Sequence, residues 1–178
     1  MMQGVGQREL RLVEPESWNL DQLYRRFAPY VAAIGNRLLG RPDDVDDLVQ
    51  DVFLEAERGL ASVRDPKAIK GWLATIAVRK ARRRLKRRRL RRWVGLDDEP
   101  KAREVMVALP RQEHRVLFGR IYLALDELAP DDRIAWTLRY IEGEKLEDVA
   151  RITGCSLATA KRRIAKAQAM VKELTRDE

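Results

Sequence analysis

Large apolar residues recur every three or four positions through most of this chain. The first series consists of Leu20, Leu23, Tyr24, Phe27, Val31, Ile34 and Leu38. Residues at this spacing share one face of an α-helix, whereas a half-buried strand would alternate every second residue. The 10 glycines and 7 prolines are also too few for a many-turned all-β protein of 178 residues. The pattern predicts an all-α protein.

Helix-breaking and helix-capping residues divide the first apolar series. Pro29 should break or kink the first helix, because proline lacks the backbone N–H that an inner turn needs. Gly40 should end that helix, and Asp43 and Asp44 should cap the second. A third helix should begin near Ile69 and extend into solvent.

The basic and acidic residues are segregated along the chain. The net charge is +8, from 36 basic and 28 acidic residues. Eleven of the fourteen residues from Arg79 to Arg92 are Lys or Arg, whereas the stretch from Asp43 to Glu57 has seven acidic residues and no basic one. A concentrated positive charge typically binds nucleic acid phosphate. The acidic stretch is either a solvated helix face or a docking surface for a basic protein.

The residues from Leu146 to about Lys166 have the spacing of a helix-turn-helix. Gly154 can adopt the left-handed conformation that ends a helix sharply, and Ser156 can cap the next one. Leu157 and Ile164 should anchor that second helix in the core. Its other face is polar, as expected of a helix that enters a DNA major groove. The candidate DNA-contacting residues are Ser156, Thr159, Lys161, Arg162, Arg163 and Lys166.

Two helical blocks on either side of a proline-containing stretch indicate two small helical domains joined by a flexible linker. The apolar face of the second block is predicted to include Ile134, Leu138 and Ile141. The predicted division is an N-terminal extension at 1–19, a first domain at 20–92, the linker at 93–115 and a second domain at 116–176.

Several classes of site are disfavoured by the residue counts. One cysteine and one histidine leave no set of residues for a thiolate or histidine metal site, and no cofactor-binding glycine loop is present. No catalytic constellation is recognisable, so we expect no enzyme activity and no small-molecule substrate. No apolar run approaches the roughly 20 residues that span a bilayer, and the polar start lacks a signal-peptide core. We therefore expect a cytoplasmic protein that does not insert into the membrane.

Four segments, in order, resemble the extracytoplasmic-function sigma factors of bacterial RNA polymerase. Residues 23–31, 46–53 and 71–77 are similar to segments of the family's region 2, and residues 128–174 resemble its region 4. The resemblance implies a factor that binds core RNA polymerase through the β′ clamp and the β subunit. It implies recognition of promoter DNA at the −10 and −35 elements. An anti-sigma factor that holds the protein at the membrane is a further expectation from the family.

The same resemblance assigns roles to residues of this chain. Asp47, Gln50 and Asp51 lie in the segment similar to the one that docks on the clamp. The helix-turn-helix set would contact the −35 element. At Arg79 and Lys80 the chain departs from the family, which usually has an asparagine shortly after the Trp-Leu segment. The residues expected at the −10 element are Arg64, Lys67, Trp72, Arg79, Lys80, Arg83 and Arg84.

Two other functions fit parts of the sequence. A helix-turn-helix regulator that acts without polymerase would account for the second block, and a basic RNA-binding protein would account for the run Arg79–Arg92. The acidic stretch Asp43–Glu57 favours the sigma factor, because clustered negative charge does not help a protein that binds only nucleic acid.

Overall fold

The computed structural model describes residues 18–95, 121 and 123–174, and all regular structure in that part is helical. The predicted extension, most of the linker and the start of the predicted second domain lie outside the described residues. The helices are α1 (Leu20–Leu39), α2 (Pro42–Gly59), α3 (Ile69–Trp93), α4 (Pro130–Tyr140), α5 (Leu146–Thr153) and α6 (Leu157–Leu174), with 3₁₀ turns at Leu60–Ser62 and Pro66–Ala68.

Helix α1 runs through Pro29, so of the break or kink predicted there the break does not occur. Asn19 caps its start, since the side chain accepts from the Gln22 backbone N–H at 2.8 Å. Gly40 ends it at φ 72°, as predicted, because the left-handed conformation is open to glycine without strain. The continuous helix lays Leu23, Val31 and other apolar residues against α2 and α3.

Helix α2 starts one residue earlier than its acidic residues suggested. Arg41 is the N-cap and Pro42 occupies the first turn, so Asp43 and Asp44 lie inside the helix rather than capping it. Their carboxylates still face the positive end of the helix dipole, which favours negative charge. The inward residues, among them Leu48 and Val52, are fully buried.

Helix α3 packs on the bundle along most of its basic run, and the prediction that this run extends into solvent is wrong. Ala81 and Leu85 are buried within the run. Arg84 and Arg88 lie on the flank that faces α1 and α2, where the Arg88 Nη1 donates to the Leu39 carbonyl at 3.0 Å. Only part of the basic run is therefore available to a ligand.

Helices α5 and α6 form the predicted helix-turn-helix, packed on α4. Gly154 ends α5 at φ 67° and Ser156 precedes α6, as the sequence indicated. Ile164, Ala160 and Val171 hold α6 in place, but Leu157 is 40% exposed and does not anchor it. Ile141 is also exposed rather than inward, because α4 ends at Tyr140.

A single buried apolar cluster includes residues of both helical blocks. Leu73 and Val78 of α3 belong to it together with Leu138 of α4 and Val149 and Ile152 of α5. A smaller cluster around Leu125, Trp136 and Val171 belongs to the second block alone. The helix-turn-helix is thus packed against α3, which carries the basic run.

Candidate nucleic-acid interface and docking surface

The outward face of α2 exposes three residues at helical spacing: Asp47, Gln50 and Leu54. Leu54 is 57% exposed, whereas the other apolar side chains of α2 are mostly buried. Single exposed apolar side chains are common on protein surfaces, so the shared helical face of all three residues, and not Leu54 alone, makes this surface a candidate for a protein contact. We call these three residues the docking face.

Asp51, unlike Asp47, forms an ion pair with another described residue. Its Oδ2 atom lies 2.6 Å from the Arg84 Nη2 atom of α3. Three further pairs join the same helices: Glu55 holds both Arg79 and Lys80, the latter at 3.1 Å, and Asp44 holds Arg88. These pairs, here called the α2–α3 ladder, neutralise much of the acidic helix with part of the basic run.

The ladder divides the predicted −10 residues into two groups. Arg79, Lys80 and Arg84 have carboxylate partners within the protein. Arg83 is exposed, and no ion pair connects it to another described residue. A guanidinium without a carboxylate partner can bind phosphate without first breaking an internal pair, so Arg83 is the most available of these four α3 cations.

The connection between α2 and α3 presents the remaining −10 candidates. Arg64 and Lys67 are exposed there, and the Asp65 side chain accepts from the Lys67 backbone N–H at 2.9 Å. Trp72 is half-buried and packs over Gly59, where a Cβ atom would lie 2.9 Å from the indole ring. This contact positions the indole, with part of it open to solvent, beside the exposed connection.

The start of α6 is fixed by Ser156. Its hydroxyl oxygen accepts from the Thr159 backbone N–H at 3.2 Å, and the hydroxyl lies 2.9 Å from that of Thr159. Ser156 therefore has the capping role that was predicted for it. Lys161 and Arg162 follow on the exposed face of the helix, and neither is ion-paired with a described residue.

Two other cations of α6 are held by the start of α4. The Arg163 Nη2 atom lies 3.3 Å from the Asp131 Oδ2 atom, and the Lys166 Nζ atom lies 2.8 Å from the Asp132 Oδ2 atom. Lys166 is still 63% exposed, whereas Arg163 is 23% exposed. The predicted −35 set thus contains two unpaired cations and two that are paired inside the helix-turn-helix block.

Contacts between the blocks bring the two candidate DNA surfaces together. The Arg82 Nη2 atom of α3 donates to the Thr153 carbonyl at 2.8 Å, and Arg37 of α1 pairs with Glu142. Burial, helped by Glu144 and Glu142, raises the pKa of Tyr30 to about 12 although Arg151 acts in the opposite direction. The charged groups that shift the pKa of Tyr30, which lies in α1, all belong to the second block.

Other kinds of site receive no support in the described part of the chain. The histidine, cysteine and carboxylate side chains there form no cluster of three or more that could hold a metal ion. No helix in that part combines the length and apolar character that crossing a bilayer requires.

Two features of these surfaces were not identified from the sequence. Leu54 lies on the side of α2 opposite its buried apolar residues, and the sequence alone predicts no role for it; its exposure beside Asp47 and Gln50 makes it part of the docking face. In the sequence, Asp131 looks like an ordinary acidic residue of a first helical turn, a position where the helix dipole favours negative charge. Its pairing with arginines from two other helices depends on tertiary structure.

The chain matches two known protein families and several characterised relatives. Residues 23–91 match the family described as Sigma-70 region 2, and residues 118–170 match Sigma-70, region 4. The ECF RNA polymerase sigma factor EcfG of Rhodopseudomonas palustris is 32% identical over 146 residues, covering 82% of this chain and 79% of the relative. The ECF RNA polymerase sigma-E factor of Haemophilus influenzae is 31% identical, covering 89% of this chain and 87% of that protein.

A solved structure is similar over nearly the whole of both chains. The sigma factor RpoE in complex with the anti-sigma factor NepR, from Bartonella quintana, is 28% identical with a TM-score of 0.68, covering 89% of this chain and 97% of that one. The helical fold, the two region matches and the sequence identity to EcfG and the sigma-E factor agree with one another. This chain belongs to the ECF RNA polymerase sigma factors.

Proposed function

We propose that this sigma factor binds core RNA polymerase through the docking face and directs promoter-specific initiation through two DNA-reading units. The observation that carries the proposal is that one chain combines an exposed Asp47–Gln50–Leu54 face on α2 with a helix-turn-helix formed by α5 and α6. A protein that binds only DNA needs the second feature and not the first. The units are assigned to 20–92 and 116–176.

Asp47 and Gln50 supply the polar contacts to the polymerase β′ clamp, and Leu54, one turn further along α2, supplies apolar area. Asp51 takes part from the edge of this face, because its carboxylate is already paired with Arg84. Before DNA binds, its main effect is to hold α3 against α2, so that docking and −10 binding start from one rigid body. The β subunit is the expected contact of the second unit.

The −10 element is bound across the α2–α3 connection and the outer face of α3. Arg64, Lys67 and Arg83 bind phosphates, and Trp72 provides a flat apolar surface for an unstacked base, which aromatic stacking stabilises. Arg79, Lys80 and Arg84 lie along the same helix. They reach DNA by exchanging Glu55 or Asp51 for a phosphate.

The −35 element is read by α6 in the major groove. Lys161, Arg162 and Thr159 lie at the N-terminal end of the helix, from which recognition helices contact base edges. Ser156 stabilises that end of the helix by capping it. Arg163 and Lys166 exchange Asp131 and Asp132 for backbone phosphates.

The remaining expectations follow from membership of the family. We infer that the protein works in the cytoplasm, has no catalytic activity of its own and is controlled by an anti-sigma factor. The relative from Bartonella quintana was solved with such a partner. Retention of the complex at the membrane through that partner is part of the same proposal.

Run-off transcription with purified core polymerase on a library of promoters tests the proposal. The wild-type chain should produce defined transcripts, and Asp47→Arg should abolish both the transcripts and co-purification with core enzyme. Asp21→Arg is the matched control, since it makes the same charge change on the surface of α1. Transcripts that are equally abundant without the chain would rule out a sigma factor, and promoter binding without capture of core enzyme would favour the helix-turn-helix regulator instead.

A further inference from the structure

One carboxylate joins the two DNA-reading units. The Oδ1 atom of Asp131 lies 2.7 Å from the Nε atom of Arg82 on α3, and its Oδ2 atom lies 3.3 Å from the Nη2 atom of Arg163 on α6. The Arg82 side chain also donates to the carbonyl of Thr153, the last residue of α5. Asp131 therefore binds one arginine from each promoter-contacting helix.

The surroundings of Asp131 make these pairs more than a surface contact. Arg82 and Asp131 are 23% and 27% exposed, so solvent screens them only in part. Next to them, Leu138, Val149 and Ile152 are buried in the same cluster as the core of α1 and α3. A second ion pair, Arg37 with Glu142, joins α1 to the turn after α4.

This packed arrangement cannot span a promoter. Elements centred at −10 and −35 are separated by 25 base pairs, or about 85 Å along B-DNA at 3.4 Å per base pair. In the structure the two units touch: a Cβ atom at Gly71, in the −10 segment, would lie 3.0 Å from a guanidinium nitrogen of Arg151 in α5. The units must separate before both elements can be bound.

We propose that Asp131 is an electrostatic latch that holds the two DNA-reading units in a closed form unable to bind the −10 and −35 elements together. The inference rests on the proposed function for the meaning of closure. Promoter phosphates open the latch by competing with Asp131 for Arg82 and Arg163. Because partly exposed ion pairs are weak, the latch is readily reversible, and its loss should raise the open fraction about 2- to 5-fold.

Electron–electron distance measurements on the full chain test the latch without DNA or polymerase. Spin labels are placed at Ala61→Cys in the first unit and Ala169→Cys in the second, both exposed positions, with Cys155→Ser removing the native thiol. The otherwise unaltered protein should give one narrow distance distribution. Asp131→Asn and Arg82→Gln should each add a population at longer distance, although they change the net charge in opposite directions.

The control is Asp21→Asn, which removes the same charge from an exposed pair on α1 and should leave the distribution narrow. Helical circular dichroism must be retained in each variant, so that a long distance reports opening rather than unfolding. A broad distribution in the protein with intact Asp131, or no added population in either latch variant, would overturn the latch. Neither result bears on the sigma factor assignment, which the transcription assay tests separately.

Discussion

At the scale of single residues, the turn between α5 and α6 follows from its own sequence. Gly154 has the positive φ that glycine adopts without steric cost, and Ser156 offers the side-chain oxygen that the first free N–H groups of α6 need. Both requirements are met by neighbours within three positions. The geometry of the candidate recognition helix is therefore set locally, before any long-range contact forms.

The cap and a DNA contact at Ser156 can be separated by two substitutions. Ser156→Ala removes the hydroxyl and should lower the free energy of unfolding by about 0.5–2 kcal/mol, as measured by urea denaturation. Ser156→Asp keeps an acceptor and adds a charge that the helix N-terminus favours, so stability should be retained. The same aspartate should weaken −35 binding by charge repulsion. Equal stability of the alanine and wild-type proteins would contradict the capping role.

At the scale of helices, the sequence predicts which segments are helical but not how their charged faces are used. Existence of the helices follows from apolar periodicity, and the sharp ends at Gly40 and Gly154 follow from glycine. The break predicted at Pro29 does not occur, because the cost of one missing backbone N–H is smaller than the stabilisation from burying the long amphipathic face of α1. The local pattern around Leu157 likewise could not show that this residue lies outside the core.

The α2–α3 ladder is the clearest limit of sequence reasoning for the candidate site. The acidic stretch and the basic run were assigned to different partners because they lie about 30 residues apart in the chain. In the fold they are adjacent, and Asp51 and Arg84 bind each other at 2.6 Å. Such pairing depends on the rotation of two packed helices about their axes, which the sequence of either helix alone does not specify.

The ladder predicts effects of different size on stability for two neighbouring arginines of α3. Arg88 is 13% exposed, donates to the Leu39 carbonyl and pairs with Asp44, so Arg88→Ala should destabilise the fold by about 1–3 kcal/mol. Arg87 is exposed, and Arg87→Ala should change stability by less than about 0.5 kcal/mol. Thermal and urea unfolding of both variants measures the difference. Similar losses for the two would mean that inward and outward arginines are not distinct.

At the scale of the whole molecule, net charge is a poor guide to how many cations reach DNA. The chain carries 36 basic residues for a net charge of +8. In the described part, carboxylates hold several of them, and Asp131 holds two at once. The cations that remain available, Arg83, Lys161 and Arg162 among them, are spread over α3 and α6. DNA affinity should therefore reflect this exposed subset and not the total.

The salt dependence of promoter binding measures how many of these exposed cations contact phosphate. Each phosphate neutralised on duplex DNA contributes about −0.9 to the slope of log affinity against log salt concentration, because a condensed counterion is released. Lys161→Ala or Arg162→Ala should each reduce the slope by about 1 in anisotropy titrations with −35 DNA. Arg25→Ala is the control: it removes the same charge from an exposed α1 pair with Asp21, and the slope should not change. A slope that falls equally in all three variants would indicate attraction by net charge alone, and α6 would then have no distinct role as the recognition helix.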